Sequence, residues 1–95
     1  MDTSWPFPDP PNRAIITLRS IVEGTPVLRV THWHGWQFTG QDTPELRDTV
    51  PVGLAEMLAL DSTLEEVADL PEGWQVSRHH IGDTWMRAPS DHTMA

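Results

Sequence analysis

Pro26-Val-Leu-Arg-Val-Thr-His-Trp-His-Gly-Trp-Gln-Phe-Thr39 decides how the rest of the chain is read. Val27, Leu28 and Val30 are apolar or β-forming, and Arg29 is placed to point outward. After the turn residue Gly35, Trp36 and Phe38 share one face by the two-residue period of a strand. Two such runs around a glycine predict a hairpin closed about His34 and Gly35.

Working toward the C-terminus, Gly40 to Asp48 reads as a polar loop. Val50 and Val52 form a brief extended piece around Pro51. Leu54, Met57 and Leu58 line one stripe of a helix ending at Leu60. A second short helix starts at Asp61 or Ser62, where Ser62-Thr63-Leu64-Glu65 matches a capping box, and Pro71 and Gly73 end it. Trp74 to Arg78 alternates as a half-buried strand, and Thr84 to Arg87, carrying Trp85, is the last strand after a turn at Gly82 and Asp83.

Toward the N-terminus, Ala14 to Thr17 is a strand. Leu18, Ile21 and Val22 have helical spacing, with Thr17 placed to cap one or two turns that Gly24 stops. Pro6, Pro8, Pro10 and Pro11 forbid both helix and central strand before that. The expected fold class is α+β: a small, mostly antiparallel sheet of four to five strands with two or three short helices. Residues 1–12 are a proline-rich arm, 13–88 a single domain and 89–95 a flexible tail.

The chain has 95 residues and a formal charge of −8, so it is one domain with a modest core and a surface unsuited to phosphate backbones or anionic membranes. A basic protein partner suits that charge. There is no cysteine, which removes disulfides and thiolate chemistry. The acidic, proline-rich start lacks the pattern of a signal peptide, and no run is long enough to span a bilayer. A cytoplasmic location is expected.

Three constellations bear on chemistry. His32 and His34 share a strand face by spacing, and His79 beside His80 completes a set of imidazoles for an open metal site. The plainer reading is surface histidines, and Asp42, Glu45 and Asp48 have nothing to place them nearby. Glu65, Glu66 and Asp69 make an acidic helix face, either solvated or a docking face for a basic partner. No serine sits in a nucleophile elbow, no glycine-rich phosphate loop exists, and no cofactor is implied. Trp36, Trp74 and Trp85 fall on predicted strands with Arg78 and Arg87 close by. They form either the core, with arginines against the ring edges, or an exposed aromatic and arginine patch of the kind that dominates interaction hot spots.

Trp5-Pro-Phe-Pro-Asp-Pro-Pro-Asn12, Gly35-Trp-Gln-Phe38 and Asp69-Leu-Pro-Glu-Gly-Trp74, with Trp85-Met-Arg87 near the end, resemble a family of short uncharacterised bacterial proteins. The resemblance spans nearly the whole chain and supports the α+β reading. The pattern is more distantly similar to a domain family predicted to act as immunity proteins against bacterial toxins. In that comparison the turn between the first long strands is expected to be acidic, and here it is the shorter His32-Trp-His-Gly35. The reading that results is a non-catalytic protein-interaction module, immunity-like in one version. The alternative is a small-ligand or metal-binding protein using the histidines.

Overall fold

The computed structural model describes residues 5–40 and 48–90. The predicted loop from Gly40 to Asp48, apart from its two ends, and the end of the tail lie outside those residues, as do Asp42 and Glu45.

The hairpin forms where the sequence places it. β2 (Arg29–His32) and β3 (Trp36–Thr39) pair antiparallel, with His32 opposite Trp36. The turn needs backbone that favours glycine: Gly35 has φ 111° and His34 has φ 53°. β1 (Ala14–Leu18) lies beside β3 and runs parallel to it, because the chain returns through α1 (Arg19–Val22) before entering β2. β4 (Thr49–Gly53) pairs with β1, β5 (Trp74–Ser77) with β2, and β6 (Met86–Pro89) with β5. The sheet order is β4-β1-β3-β2-β5-β6.

The fold is therefore α+β, with a mixed six-stranded sheet where four to five mostly antiparallel strands are expected. The extended piece around Pro51 is a full edge strand, and one strand pair is parallel. The last strand lies two residues later than expected, which leaves Trp85 just before it. Thr17 caps nothing: it lies in β1, and its hydroxyl donates to the Phe38 carbonyl across the sheet at 2.8 Å.

α2 (Leu54–Leu60) and the 3₁₀ helix Ser62–Val67 cover one face of the sheet. Leu54, Met57, Leu64 and Val67 pack there with Ile15, Val30, Trp36, Phe38 and Val76 in one core. The expected capping box at Ser62 is replaced by Asp61, whose carboxylate accepts the Thr63 N–H at 3.0 Å. The proline arm packs down as well: Phe7 is buried and meets Trp36 edge-on, with ring centroids 5.0 Å apart. None of the described helices is long and apolar enough to cross a membrane.

Both sheet edges are blunted. Leu54 N–H donates to Arg13 O, so antiparallel alternation makes Ile15–Val52 and Thr17–Val50 the bonded pairs of β1 and β4. Pro51, which has no N–H, then faces the free edge, and the outward Gly53 N–H is taken by Glu56 at 2.8 Å. On the other side Ser90 N–H donates to Gly73 O, which turns Arg87 and Pro89 outward along β6. Prolines at outward positions oppose strand addition by another chain. A partner is left with the faces and ends of the sheet.

Candidate functional site

The tryptophans separate by environment. Trp36 is 1 % exposed, stacked on His32 at 3.9 Å and lying 6.2 Å from Phe38. Trp5 packs against the core and donates its indole N–H to the Asp9 carbonyl at 2.6 Å. Trp85 also packs against the core, with the Arg78 guanidinium 4.0 Å above its ring. Trp33 meets His34 edge-on beside the hairpin turn.

Arg78 is 1 % exposed. Its Nε and Nη2 donate to the Val27 carbonyl at 3.1 and 3.0 Å, Nη1 to the Thr63 hydroxyl at 2.9 Å, and Nη2 to Asp61 Oδ2 at 2.8 Å. A buried guanidinium needs such a set, because each unmet donor carries a desolvation cost. Trp36 and Arg78 therefore serve the interior. The five-residue patch expected from Trp36, Trp74, Arg78, Trp85 and Arg87 is not one surface. The reason is positional: Trp36 lies on a central strand under the helices, and Arg78 reaches back to the junction of α2 and the 3₁₀ helix.

Trp74 is different. It is 37 % exposed, stands outside the core cluster, and its indole makes no hydrogen bond or ring contact among the described residues. Its β5 position pairs it with His32 on one side and Pro89 on the other. The turn before it is pinned by Gly73 N–H on His32 O at 2.6 Å, and Gly73 adopts φ 90°. A side chain there would be strained.

Carboxylates surround this end of β5. Glu72 accepts the His34 backbone N–H at 2.6 Å and lies 3.5 Å from His32 Nε2. His32 Nδ1 donates to the Leu70 carbonyl at 2.6 Å, which fixes the ring and its tautomer. Asp69 meets Arg87 Nη2 at 2.7 Å, and the same nitrogen lies 3.3 Å from the Glu66 carbonyl. The Arg87 hydrogen bond, followed by its charge, holds the Asp69 carboxyl below the ordinary carboxylate range. Glu65 and Glu66 are exposed beside them. Arg87 is thus already engaged by Asp69, and the surface beside Trp74 keeps a negative balance.

The histidines expected to share a metal do not meet. His32 pairs with Trp74 at one end of β5, whereas His79 follows Ser77 at the other. Trp74 and His79 are five positions apart along a chain that is extended over β5, a span of about 16 Å. His79 instead faces Asp83 at 3.3 Å, and the backbone N–H groups of His79 and Thr84 lower the Asp83 pKa. The His34 backbone lies in the hairpin turn and leans on Glu72. Among the described residues no group of three metal-ligating side chains forms.

Sequence reasoning missed Glu72. Pro71-Glu-Gly73 reads as a helix stop, and nothing in its spacing announces that its carboxylate clamps a hairpin 38 positions earlier. The acidic helix face at Glu65, Glu66 and Asp69 was visible, but not the ion pair by which Asp69 meets Arg87 of β6. Compared with family models, with curated proteins and with solved structures, the chain matches none of them.

Proposed function

We propose that this chain is a non-catalytic protein-interaction module that offers Trp74, framed by Glu66, Asp69 and Glu72, to a basic protein partner. The observation that carries the reading is the indole of Trp74, which is 37 % exposed and stands outside the buried core cluster of the described residues. Tryptophan is enriched at binding hot spots, and its ring face attracts guanidinium and ammonium groups. Carboxylates around it favour the same cations, and a net charge of −8 steers a basic partner toward the molecule. The blunted strand edges direct contact to such a side-chain surface. In the immunity-like version, this surface covers a basic active site of a toxin.

The test is affinity capture from the lysate of the producing organism, with wild-type chain and Trp74→Ala as parallel baits. One basic protein held by the wild type, released by moderate salt and lost on Trp74→Ala, supports the reading. Identical recoveries on the two baits reject it.

A further inference from the structure

The face of the sheet turned away from the helices has the opposite electrostatic character. None of the six strands contains an acidic residue. Strand alternation places Arg29 on this face, paired with Thr39 on β3 and Ser77 on β5. The adjacent row across the same three strands is Gln37, Thr31 and Gln75. Thr31 and Thr39 are buried among these side chains, at 4 % and 5 % exposure.

Arg29 is the unresolved element of this array. Its Nε is buried and has no hydrogen-bond acceptor, and its guanidinium makes no ion pair among the described residues. Arg78 and Arg87, by contrast, both reach carboxylates. Arg29 as a whole is half-buried, and a buried N–H without an acceptor is costly in a folded chain. Here it lies in a block of uncharged donors and acceptors, which supply hydrogen bonds but no countercharge.

We infer that Arg29 is the anchor of a binding site for a small polar carboxylate on the face of the sheet turned away from the helices. The planar guanidinium fork matches a carboxylate in two parallel hydrogen bonds. The Thr39 and Ser77 hydroxyls and the Gln37 and Gln75 amides stand ready for hydroxyl or amino groups on the rest of the ligand. Size favours a small molecule over a polypeptide: three strands by two rows cover roughly 10 by 7 Å. Beyond the block the face turns apolar, with Ile16 on one side and Met86 on the other. This site is independent of the Trp74 surface, which lies on the other face.

The experiment is a titration of the ¹⁵N-labelled chain with L-malate, followed through its backbone amide spectrum. Inorganic phosphate is run as a parallel probe. The expected result is a saturable shift of the amides at Arg29–Thr31, Gln37–Thr39 and Gln75–Ser77, with a Kd in the millimolar range. Arg29→Lys, which keeps the charge but loses the fork, is expected to weaken binding about tenfold or more. Arg29→Gln abolishes it, and Trp74→Ala leaves it unchanged. The variants' own amide spectra report whether they fold, and Arg29→Lys decides the matter if Arg29→Gln does not. The absence of a saturable shift with malate overturns the inference. So do equal binding by Arg29→Lys and shifts by phosphate as strong as those by malate.

Discussion

Arg78, Trp85 and Asp61 are the same three side-chain types as Arg87, Trp74 and Asp69, and the two groups flank the same short strand, β5. In the first group the guanidinium is sealed: it lies over the indole, meets the carboxylate at 2.8 Å and donates further to Val27 and Thr63. In the second group the guanidinium and carboxylate still meet, at 2.7 Å, but their side chains are 37 % and 78 % exposed and the indole stands apart. Composition therefore does not decide what such a trio does. Burial decides it: an inward ion pair must be complete, whereas an outward one is weakened by solvent and leaves its tryptophan available.

The largest expected effect tests the inward group. Removing one partner of a buried pair strands the other, so Arg78→Ala is expected to cost roughly 3–5 kcal/mol of stability. Asp61→Ala is expected to cost a similar amount, and the double variant less than the sum, because the two changes remove one network. Urea unfolding measures all three. An Arg78→Ala cost no larger than that of an ordinary surface substitution, about 0.5 kcal/mol, would mean that the two groups do not differ in kind.

The contrast also explains what could be read in the chain before its fold was known. The β2–β3 hairpin, α2 and β5 were legible because their apolar periods are local. The parallel β1–β3 pair was not, since nothing in Ala14–Leu18 encodes which later strand lies beside it. The edge strand β4 was half legible: Pro51 argues against a central strand but permits an edge. For the site, types were legible and directions were not. Trp36, Trp74 and Trp85 all sit near polar neighbours in sequence, and nothing local distinguishes the indoles packed on the core from the one that stands outside it. Glu72 was illegible because its partners, His32 and His34, lie in another element.

The middle effect concerns the outward tryptophan. Trp74→Ala is expected to cost about 1–2 kcal/mol, because the ring is only 37 % exposed, whereas Trp36→Ala in the core is expected to cost about 3–5 kcal/mol. Collisional quenching sharpens the same point. Carboxylates beside Trp74 attract cations, so caesium is expected to quench its emission more effectively than iodide, and added inert salt should narrow the difference. Trp74→Phe should remove most of the caesium-sensitive emission. If that emission survives in Trp74→Phe, another indole is the exposed one, and the proposed contact surface loses its centre.

The smallest expected effect is the pH response of the outward ion pair. Arg87 lowers the Asp69 pKa in the folded chain relative to the unfolded one. A depressed carboxylate stabilises the fold above its unfolded pKa, and that contribution is lost as pH falls through the lower folded value. The difference in stability between wild type and Asp69→Asn should therefore be present at neutral pH and disappear below the ordinary carboxylate range. Because the carboxylate is solvent-exposed, the difference should also shrink in high salt. Denaturant unfolding at neutral and acid pH, each at low and high salt, reads both dependences. Salt is the sharper of the two, because it screens an exposed pair and spares a buried one. A pH-dependent difference that survives high salt would place Asp69 and Arg87 in an environment like that of Asp61 and Arg78. The outward group would then be a second structural brace, and Trp74 would lose the open carboxylate frame on which its proposed role depends.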